Sequence, residues 1–220
     1  MTNPLPRPTF GVRVKDKVVR MGSRGIGWFV RRLNPPSLPR SGGPLRLHLG
    51  CGMIDAPGYV NVDLLDAPHV HVQRPLDDLS VFPSGCADLV YACHCLEHFG
   101  YRHSRGVLEE WARVVRPGGV LRVAVPDFSV FARAYVEGTP LAEIEGWIMG
   151  GQDYRLNFHA ALFDEALLRA LMSDVGMVDI RRWDPTVVEH HDFVDDSSHV
   201  FQAGTKTVRL SLNLEGIKKG

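Results

Sequence analysis

The chain has 220 residues, 45% of them hydrophobic and 23% charged, which is enough for one well-buried domain with attached segments. Its 25 basic and 25 acidic side chains give zero formal net charge, which argues against nucleic acid as the main partner. The sequence shows no apolar run of about 20 residues, no secretory signal and no disulfide-type cysteine spacing, so we expect a cytoplasmic protein without a membrane span.

Residues 1–44 differ from the rest of the chain. They carry nine Lys or Arg residues and a single acid, Asp16, and they end in a linker rich in Pro and Gly. We therefore predict a basic N-terminal arm and linker over residues 1–44 and a domain over residues 45–220. Two interpretations of the arm remain open. It is a solvated cap on the domain, or it contacts an anionic surface such as a lipid headgroup, a glycan phosphate or a nucleic acid.

The domain is organised around residues 45–63. An apolar run that starts at Leu45 predicts a buried strand, and this strand ends in the turn Gly50-Cys51-Gly52. A second short strand, residues 59–62, ends in Asp63. Ligands of open parallel sheets bind at the carboxyl ends of the strands, where glycines allow a close approach to the main chain and an acid can accept hydrogen bonds from ribose hydroxyls.

A polar cluster follows the next predicted strand, residues 87–93. It contains His94, Glu97 and His98, and polar residues at the carboxyl end of a strand indicate a site. The spacing then predicts a helix from about Ser104 to Arg116 and a strand over residues 120–125. This β-α-β order indicates a parallel sheet.

Three further helices are predicted by caps and helical spacing. They follow Asp127, Pro140 and Asp164, and residues 150–159 between the second and third form a candidate lid loop. Spacing predicts that the following side chains point inward: Phe128, Phe131, Ala134, Tyr135, Leu141, Ile144, Trp147, Ile148, Leu167, Leu168, Leu171, Met172 and Val175. Residues 177–183 and 207–215 predict two strands, the second strictly alternating. Because no helix separates them, we expect an antiparallel pair at the edge of the sheet.

Four motifs carry a family resemblance: LHLGCG, VNVD, DLVYACHCLEH and EEWARVVRPGGVLRVAVPDF. In this order they resemble class I S-adenosylmethionine-dependent methyltransferases. The resemblance is closer to a small bacterial group with LNLGCG, NVD, SH-LEHF and KPGG-LRIAVPDF motifs, and it covers about residues 45–218. It implies an α/β fold, namely a Rossmann-like, doubly wound, seven-stranded and mostly parallel sheet with an antiparallel last strand and helices on both faces.

The resemblance also implies a cofactor, S-adenosyl-L-methionine, and a set of contacts to it. Gly50, Cys51 and Gly52 would lie along its methionine part, and Asp63 would bind its ribose. The pair Asp78-Leu79 would flank the adenine, and His94 would line the methyl side. One departure is the short distance from Gly52 to Asp63, which leaves no room for the helix that gives the roughly 20-residue spacing of dinucleotide folds.

Transfer of a methyl group to a hydroxyl is aided by a base, and histidine has a suitable pKa. The candidates are His94, His98 and His159, with Glu97 or Asp127 as orienting groups. We expect no metal, because Cys93 and His94 are neighbours on a strand and would point to opposite faces, and because the cluster lacks a second ligand pair.

These observations lead to one main hypothesis and two alternatives. The main one is a methyltransferase that acts on a small-molecule or sugar acceptor, by O-methylation, with a surface-glycan precursor as one example. The first alternative is a nucleic-acid methyltransferase that uses the basic arm as its grip. The second is a module that binds the cofactor without catalysis.

Overall fold

The computed structural model describes residues 43–203 and 206–220. The predicted basic arm lies outside the described residues, apart from its last two positions. The strands are β1 (Arg46–Leu49), β2 (Val60–Asp63), β3 (Val72–Gln73), β4 (Ala87–Cys93), β5 (Val115–Pro126), β6 (Met177–Arg182), β7 (Val200–Ala203), β8 (Lys206–Arg209) and β9 (Ser211–Lys218). The helices are α1 (Ser104–Val114), α2 (Phe128–Val136), α3 (Leu141–Met149) and α4 (Glu165–Asp174). In this part of the chain, no helix is long and apolar enough to cross a membrane.

Seven strands form one sheet in the order β3-β2-β1-β4-β5-β9-β6, and β7 and β8 form a separate hairpin. The pairs among β1 to β5 are parallel, whereas β9 runs antiparallel to both β5 and β6. The predicted seven-stranded, mostly parallel sheet with an antiparallel last strand is thus confirmed. The parallel part places the carboxyl ends of β1, β2, β4 and β5 at one edge, which is where ligands bind in such folds.

One face of the sheet carries the main apolar core. Helices α1 and α4 pack on this face and on each other. The side chains that meet there alternate along the strands, as in Leu47 and Leu49 of β1, because successive strand residues point to opposite faces. Trp111 of α1 is fully buried in this core, and its Nε1 donates to the carbonyl oxygen of Leu76 at 2.7 Å.

The central part of the opposite face is covered by loops 51–59 and 184–199, where the resemblance implied helices. The side chains on this face are mainly aromatic rings, histidine rings and charged groups. Arg122 and Glu215 form a buried ion pair there at 2.8 Å. Irregular loop backbone supplies partners that a helix cannot, since the carbonyl of Glu189 accepts from Arg122 Nη1 at 2.9 Å. The rings that pack together are His48, Tyr59, Tyr91, Trp183, His191 and Phe193.

Two predictions about the strands and helices were wrong in detail. The strand predicted over residues 207–215 breaks at Leu210 into β8 and β9. Residues 211–216 are all buried, because the apolar core covers one face of β9 and the loop of residues 184–199 covers the other. Four helical side chains predicted to point inward are exposed, because α2, α3 and α4 each bury only a narrow stripe. These are Phe128, Tyr135, Leu141 and Leu167. The caps themselves are present, with Asp127 accepting from the N–H of Ser129 and Asp164 from that of Leu167.

Candidate active site

The turn after β1 is held in a conformation that favours glycine. Gly50 and Gly52 have φ angles of +66° and +55°, and the N–H of Gly50 donates to the carbonyl of Val62 at 2.8 Å. A Cβ on Gly50 would lie 2.2 Å from the Sγ of Cys95, whereas a Cβ on Gly52 would meet no atom of residues 43–203 and 206–220 within 4 Å. Gly50 therefore packs tightly against the segment after β4, and Gly52 borders open space.

Asp63 at the end of β2 is joined to this turn. Its Oδ2 accepts from the N–H of Gly52 at 2.8 Å, and its Oδ1 accepts from the N–H of Leu65 at 2.8 Å. The ring of His69 is also close, with Nε2 2.9 Å from the carbonyl oxygen of Gly52. An accessible glycine backbone beside a half-buried carboxylate at the strand ends fits a cofactor that carries ribose hydroxyls and an amino-acid group.

The other residues that were predicted to contact the cofactor, Cys51, Asp78 and Leu79, do not share the open position of Gly52. Cys51 is buried, and burial raises the pKa of its thiol, so the side chain supports the turn from inside. Asp78 lies at the surface, where it pairs with Arg74 at 2.9 Å. Leu79 is fully buried, and its N–H donates to Glu110 at 2.8 Å. The adenine contact predicted for Asp78 and Leu79 stays a prediction, and in this structure the Leu79 side chain belongs to the core.

His94 occupies the position directly after β4, with a left-handed φ of +50°. Its Nε2 lies 2.5 Å from the Oγ of Ser211, at the start of β9, and its side chain is 12% exposed. Burial, with a smaller contribution from nearby His159, lowers the pKa of His94 to about 3, so its ring is neutral at neutral pH. The neighbouring Cys95 contacts the glycine turn, with Sγ 3.8 Å from the carbonyl oxygen of Gly50. The segment after β4 therefore lies directly beside that turn.

The three predicted catalytic histidines converge on Glu97, which is 1% exposed. Its Oε1 lies 3.8 Å from Nδ1 of His94 and 4.0 Å from Nε2 of His159. The rings of His98 and His159 are 5.0 Å apart between centroids. His159 is brought in by the loop of residues 150–159, because the carbonyl of Glu97 accepts from the N–H of Ala160 at 2.7 Å.

The cluster is electrostatically unusual because it is buried. Burial raises the pKa of Glu97 to about 8. Burial, and then the nearby His98, lowers the pKa of His159 to about 4, and burial also lowers the pKa of His98. At neutral pH the rings are therefore neutral and Glu97 holds a proton, so the separations of 3.8 and 4.0 Å are not ion pairs.

The sequence-based prediction missed the position or the role of three residues in the site. Glu97 was expected only to orient a histidine, yet it lies at the centre of the cluster. Ser211 is 117 positions from His94 and carries no local signal. His69 could have been suspected, because it lies in a polar loop that follows the strand ending in Asp63.

Comparison with known proteins agrees with this geometry. A family described as "Methyltransferase domain" matches residues 57–123, which include Asp63 and the segment with His94, Glu97 and His98. No curated protein sequence matches the chain at a significant level.

Several solved structures share the fold at low sequence identity. A S-adenosylmethionine-dependent methyltransferase from Archaeoglobus fulgidus has a TM-score of 0.52 at 13% identity, over 93% of this chain and 99% of that one. One from Thermotoga maritima has a TM-score of 0.52 at 14% identity, over 94% and 96%. An O-methyltransferase family protein from Burkholderia thailandensis has a TM-score of 0.51 at 16% identity, over 94% of this chain but only 59% of its own length.

Proposed function

We propose that this S-adenosylmethionine-dependent methyltransferase methylates a hydroxyl group of a small molecule or a sugar. The enzyme class and its cofactor, S-adenosylmethionine, rest on the family match together with the shared fold. The acceptor is our proposal, and one observation carries it. Three neutral histidines surround Glu97 after the end of β4: His94 and His98 belong to the segment that contacts the glycine turn, and His159 comes from the loop of residues 150–159. A hydroxyl needs a proton acceptor near its oxygen during methylation, and this cluster supplies candidates.

The chemistry of the step assigns clear tasks to the protein. The bound cofactor supplies a methyl group on a positively charged sulfonium, which is already activated for displacement. The protein therefore has to align the acceptor, exclude water and take up the acceptor's proton. His94 and His159 are the residues that we assign to the proton. Their low pKa values, about 3 and about 4, make them weak bases, so we expect the proton to move as the new bond forms.

The loop of residues 150–159 is suited to cover the acceptor. It is folded on itself, with the N–H of Gln152 donating to the carbonyl of Asn157 at 2.8 Å. It also begins and ends beside the cluster, since the N–H of His159 donates to the carbonyl of Met149 at 3.0 Å. Three of its side chains, Tyr154, Leu156 and Phe158, are 45% to 53% exposed. Exposed apolar groups next to a polar cluster are typical of a site that encloses a small organic ligand.

The cofactor site is tested by calorimetric titration with S-adenosylmethionine. We expect saturable binding that Asp63→Asn weakens at least about tenfold, because the amide accepts hydrogen bonds less strongly than the carboxylate. Asp174→Asn, an equally small change at the exposed end of α4, serves as the matched control and should bind as the wild type does. No binding by the folded wild type, or preferential binding of NAD, would contradict the cofactor assignment.

The acceptor class is tested by following the formation of S-adenosylhomocysteine with pools of acceptors. We expect turnover with hydroxyl-bearing sugars, sugar nucleotides or small alcohols, and slower turnover for His94→Ala and His159→Ala with cofactor affinity retained. Turnover confined to amines would refute O-methylation. Turnover confined to RNA or DNA, with an affinity that falls steeply with salt, would instead support a nucleic-acid methyltransferase.

A further inference from the structure

We infer that Glu97, His98 and His159 form a binding site for a divalent transition-metal cation. The sequence predicted no metal here, because Cys93 and His94 are neighbours on one strand and no second pair of ligands follows them. The structure assembles a different set from two separate segments, the turn after β4 and the end of the loop of residues 150–159. One ligand atom from each of the three residues lies within 4.8 Å of the others.

The strongest observation is the state of Glu97. Its side chain is 1% exposed, and among the residues that the structure describes neither of its carboxylate oxygens has a hydrogen-bond partner. A buried carboxyl group without partners is costly, so native proteins rarely leave one in this state. A cation between Glu97, His98 and His159 would supply the missing partner, whereas Nδ1 of His94, at 3.8 Å from Oε1, is too far away for a hydrogen bond.

His98 is held as metal-binding histidines are. Its Nδ1 lies 3.1 Å from the carbonyl oxygen of Phe158, and a ring that donates there presents an unprotonated Nε2. A bond of this kind to a backbone carbonyl fixes the tautomer and the orientation of a ligand. His159 is anchored through its backbone, whose N–H donates to the carbonyl of Met149 at 3.0 Å, and its Nε2 lies 4.0 Å from Oε1 of Glu97.

The donor set indicates the class of cation. Two imidazoles and one carboxylate suit Mn²⁺, Fe²⁺, Co²⁺, Ni²⁺ or Zn²⁺, whereas Mg²⁺ and Ca²⁺ prefer oxygen ligands. Ligand bonds of about 2.0–2.2 Å need the three atoms to move together by less than about 1 Å, which side-chain rotation allows. Three protein ligands leave coordination positions open, as in catalytic rather than structural sites.

The role that we assign to the cation rests on the proposed function. Situated beside His94, it would polarise the acceptor's hydroxyl oxygen and favour loss of its proton. During transfer the proton would pass to His94, because His159 as a metal ligand could no longer accept it. The carbon–oxygen bond would form, and the sulfur–carbon bond would break with its electron pair left on sulfur.

Metal binding is tested without reference to activity. Untagged, full-length protein is stripped with a chelator and titrated with MnCl₂ and with ZnCl₂ by calorimetry, and the bound metal is counted by elemental analysis. We expect one ion per chain, and affinities reduced at least tenfold by Glu97→Gln and by His159→Ala. The matched controls, Glu109→Gln and His103→Ala, change exposed side chains on or next to α1 and should leave affinity unchanged.

A second readout guards against variants that fail to fold. The visible absorption of added Co²⁺ should differ from that of the hydrated ion in the wild type and return towards it in Glu97→Gln, whose isosteric side chain keeps the shape of the core. No saturable binding by the wild type, or equal binding by the Glu97 and His159 variants, would overturn the inference.

The two proposals fail in distinguishable ways. Binding of S-adenosylmethionine and turnover by fully chelated protein that binds no metal would leave the proposed function standing and overturn the metal site. One equivalent of metal bound through Glu97, with no methyl transfer to any acceptor, would support the site and count against the proposed function.

Discussion

Replacing Gly50 by alanine should destabilise the protein at the point where β1 meets the segment after β4. The new Cβ would lie 2.2 Å from the Sγ of Cys95 and 3.2 Å from Cδ1 of Leu76, so neighbouring groups must move. Overpacking of this kind costs about 1–3 kcal/mol. The φ angle of +66° adds about 1–2 kcal/mol, because the left-handed conformation is unfavourable for alanine. Lower entropy of the unfolded chain offsets about 0.4–1 kcal/mol of this cost.

Gly52→Ala is the matched control. Its φ angle of +55° brings the same conformational cost, but its Cβ would meet no atom within 4 Å in the part of the chain that the structure describes. Gly50→Ala should therefore lose about 1–3 kcal/mol more free energy of unfolding than Gly52→Ala, and urea titration measures the difference. The order for cofactor binding is different, since a methyl group on Gly52 would occupy the open side of the turn. We expect Gly52→Ala to weaken binding of S-adenosylmethionine while leaving most of the stability intact.

A double-mutant cycle tests the cause. Cys95→Ala removes the sulfur that the new Cβ would overlap, so Gly50→Ala should cost about 1–3 kcal/mol less in that background than in the wild type. Equal costs in the two backgrounds, or equal stability of the Gly50 and Gly52 variants, would refute the packing explanation. The result would then mean that the backbone angle alone requires glycine at this turn.

Two further predictions concern the face covered by loops. Burial lowers the pKa of His48 to about 4 from an ordinary 6.5. Between these pH values the unfolded chain therefore binds more protons than the folded protein does. The free energy of unfolding should fall by about 2–3 kcal/mol as the pH drops from 7 to 4.5. Urea titrations of His48→Phe at both pH values should show a drop smaller by that amount, and an unchanged drop would refute the assignment. The titratable groups that face His48 are Asp195, His191 and His69. Glu215→Gln should cost about 3–5 kcal/mol, because it leaves the Arg122 cation buried without its charged partner. A loss below about 1 kcal/mol by urea titration would contradict this value.

Local signals in the sequence were enough to predict the parts of the fold that depend on local chemistry. Glycine is needed at Gly50 and Gly52 because of their positive φ angles. Aspartate caps a helix by accepting from its first N–H groups, so the starts of α2 and α4 were predictable from Asp127 and Asp164. Strand and helix alternation likewise predicted the parallel part of the sheet.

The burial of a side chain could be predicted from its spacing only where the surrounding strands, helices and loops did not change it. Alternation along residues 207–215 was expected for a strand with one covered face, but β9 is flanked by β5 and β6 and buried on both faces. Tyr135 has helical spacing with Phe131 and is still 57% exposed, because α2 packs through a narrow stripe. A periodic pattern shows which residues share a face, and the surrounding elements determine how wide the buried part of that face is.

The sequence by itself determined which chemical groups stand at the carboxyl ends of the strands: the glycine turn, Asp63, His94 and His98. Only the tertiary structure decided which distant groups join them. His159 reaches Glu97 through a loop from beyond α3, and Ser211 reaches His94 from β9. Burial then changed the chemistry of these groups, because removal of water raises the pKa of Glu97 and lowers those of the histidines around it. The sequence alone does not show which distant residues come into contact or which side chains lose water. Both are decided only when the strands, helices and loops pack together.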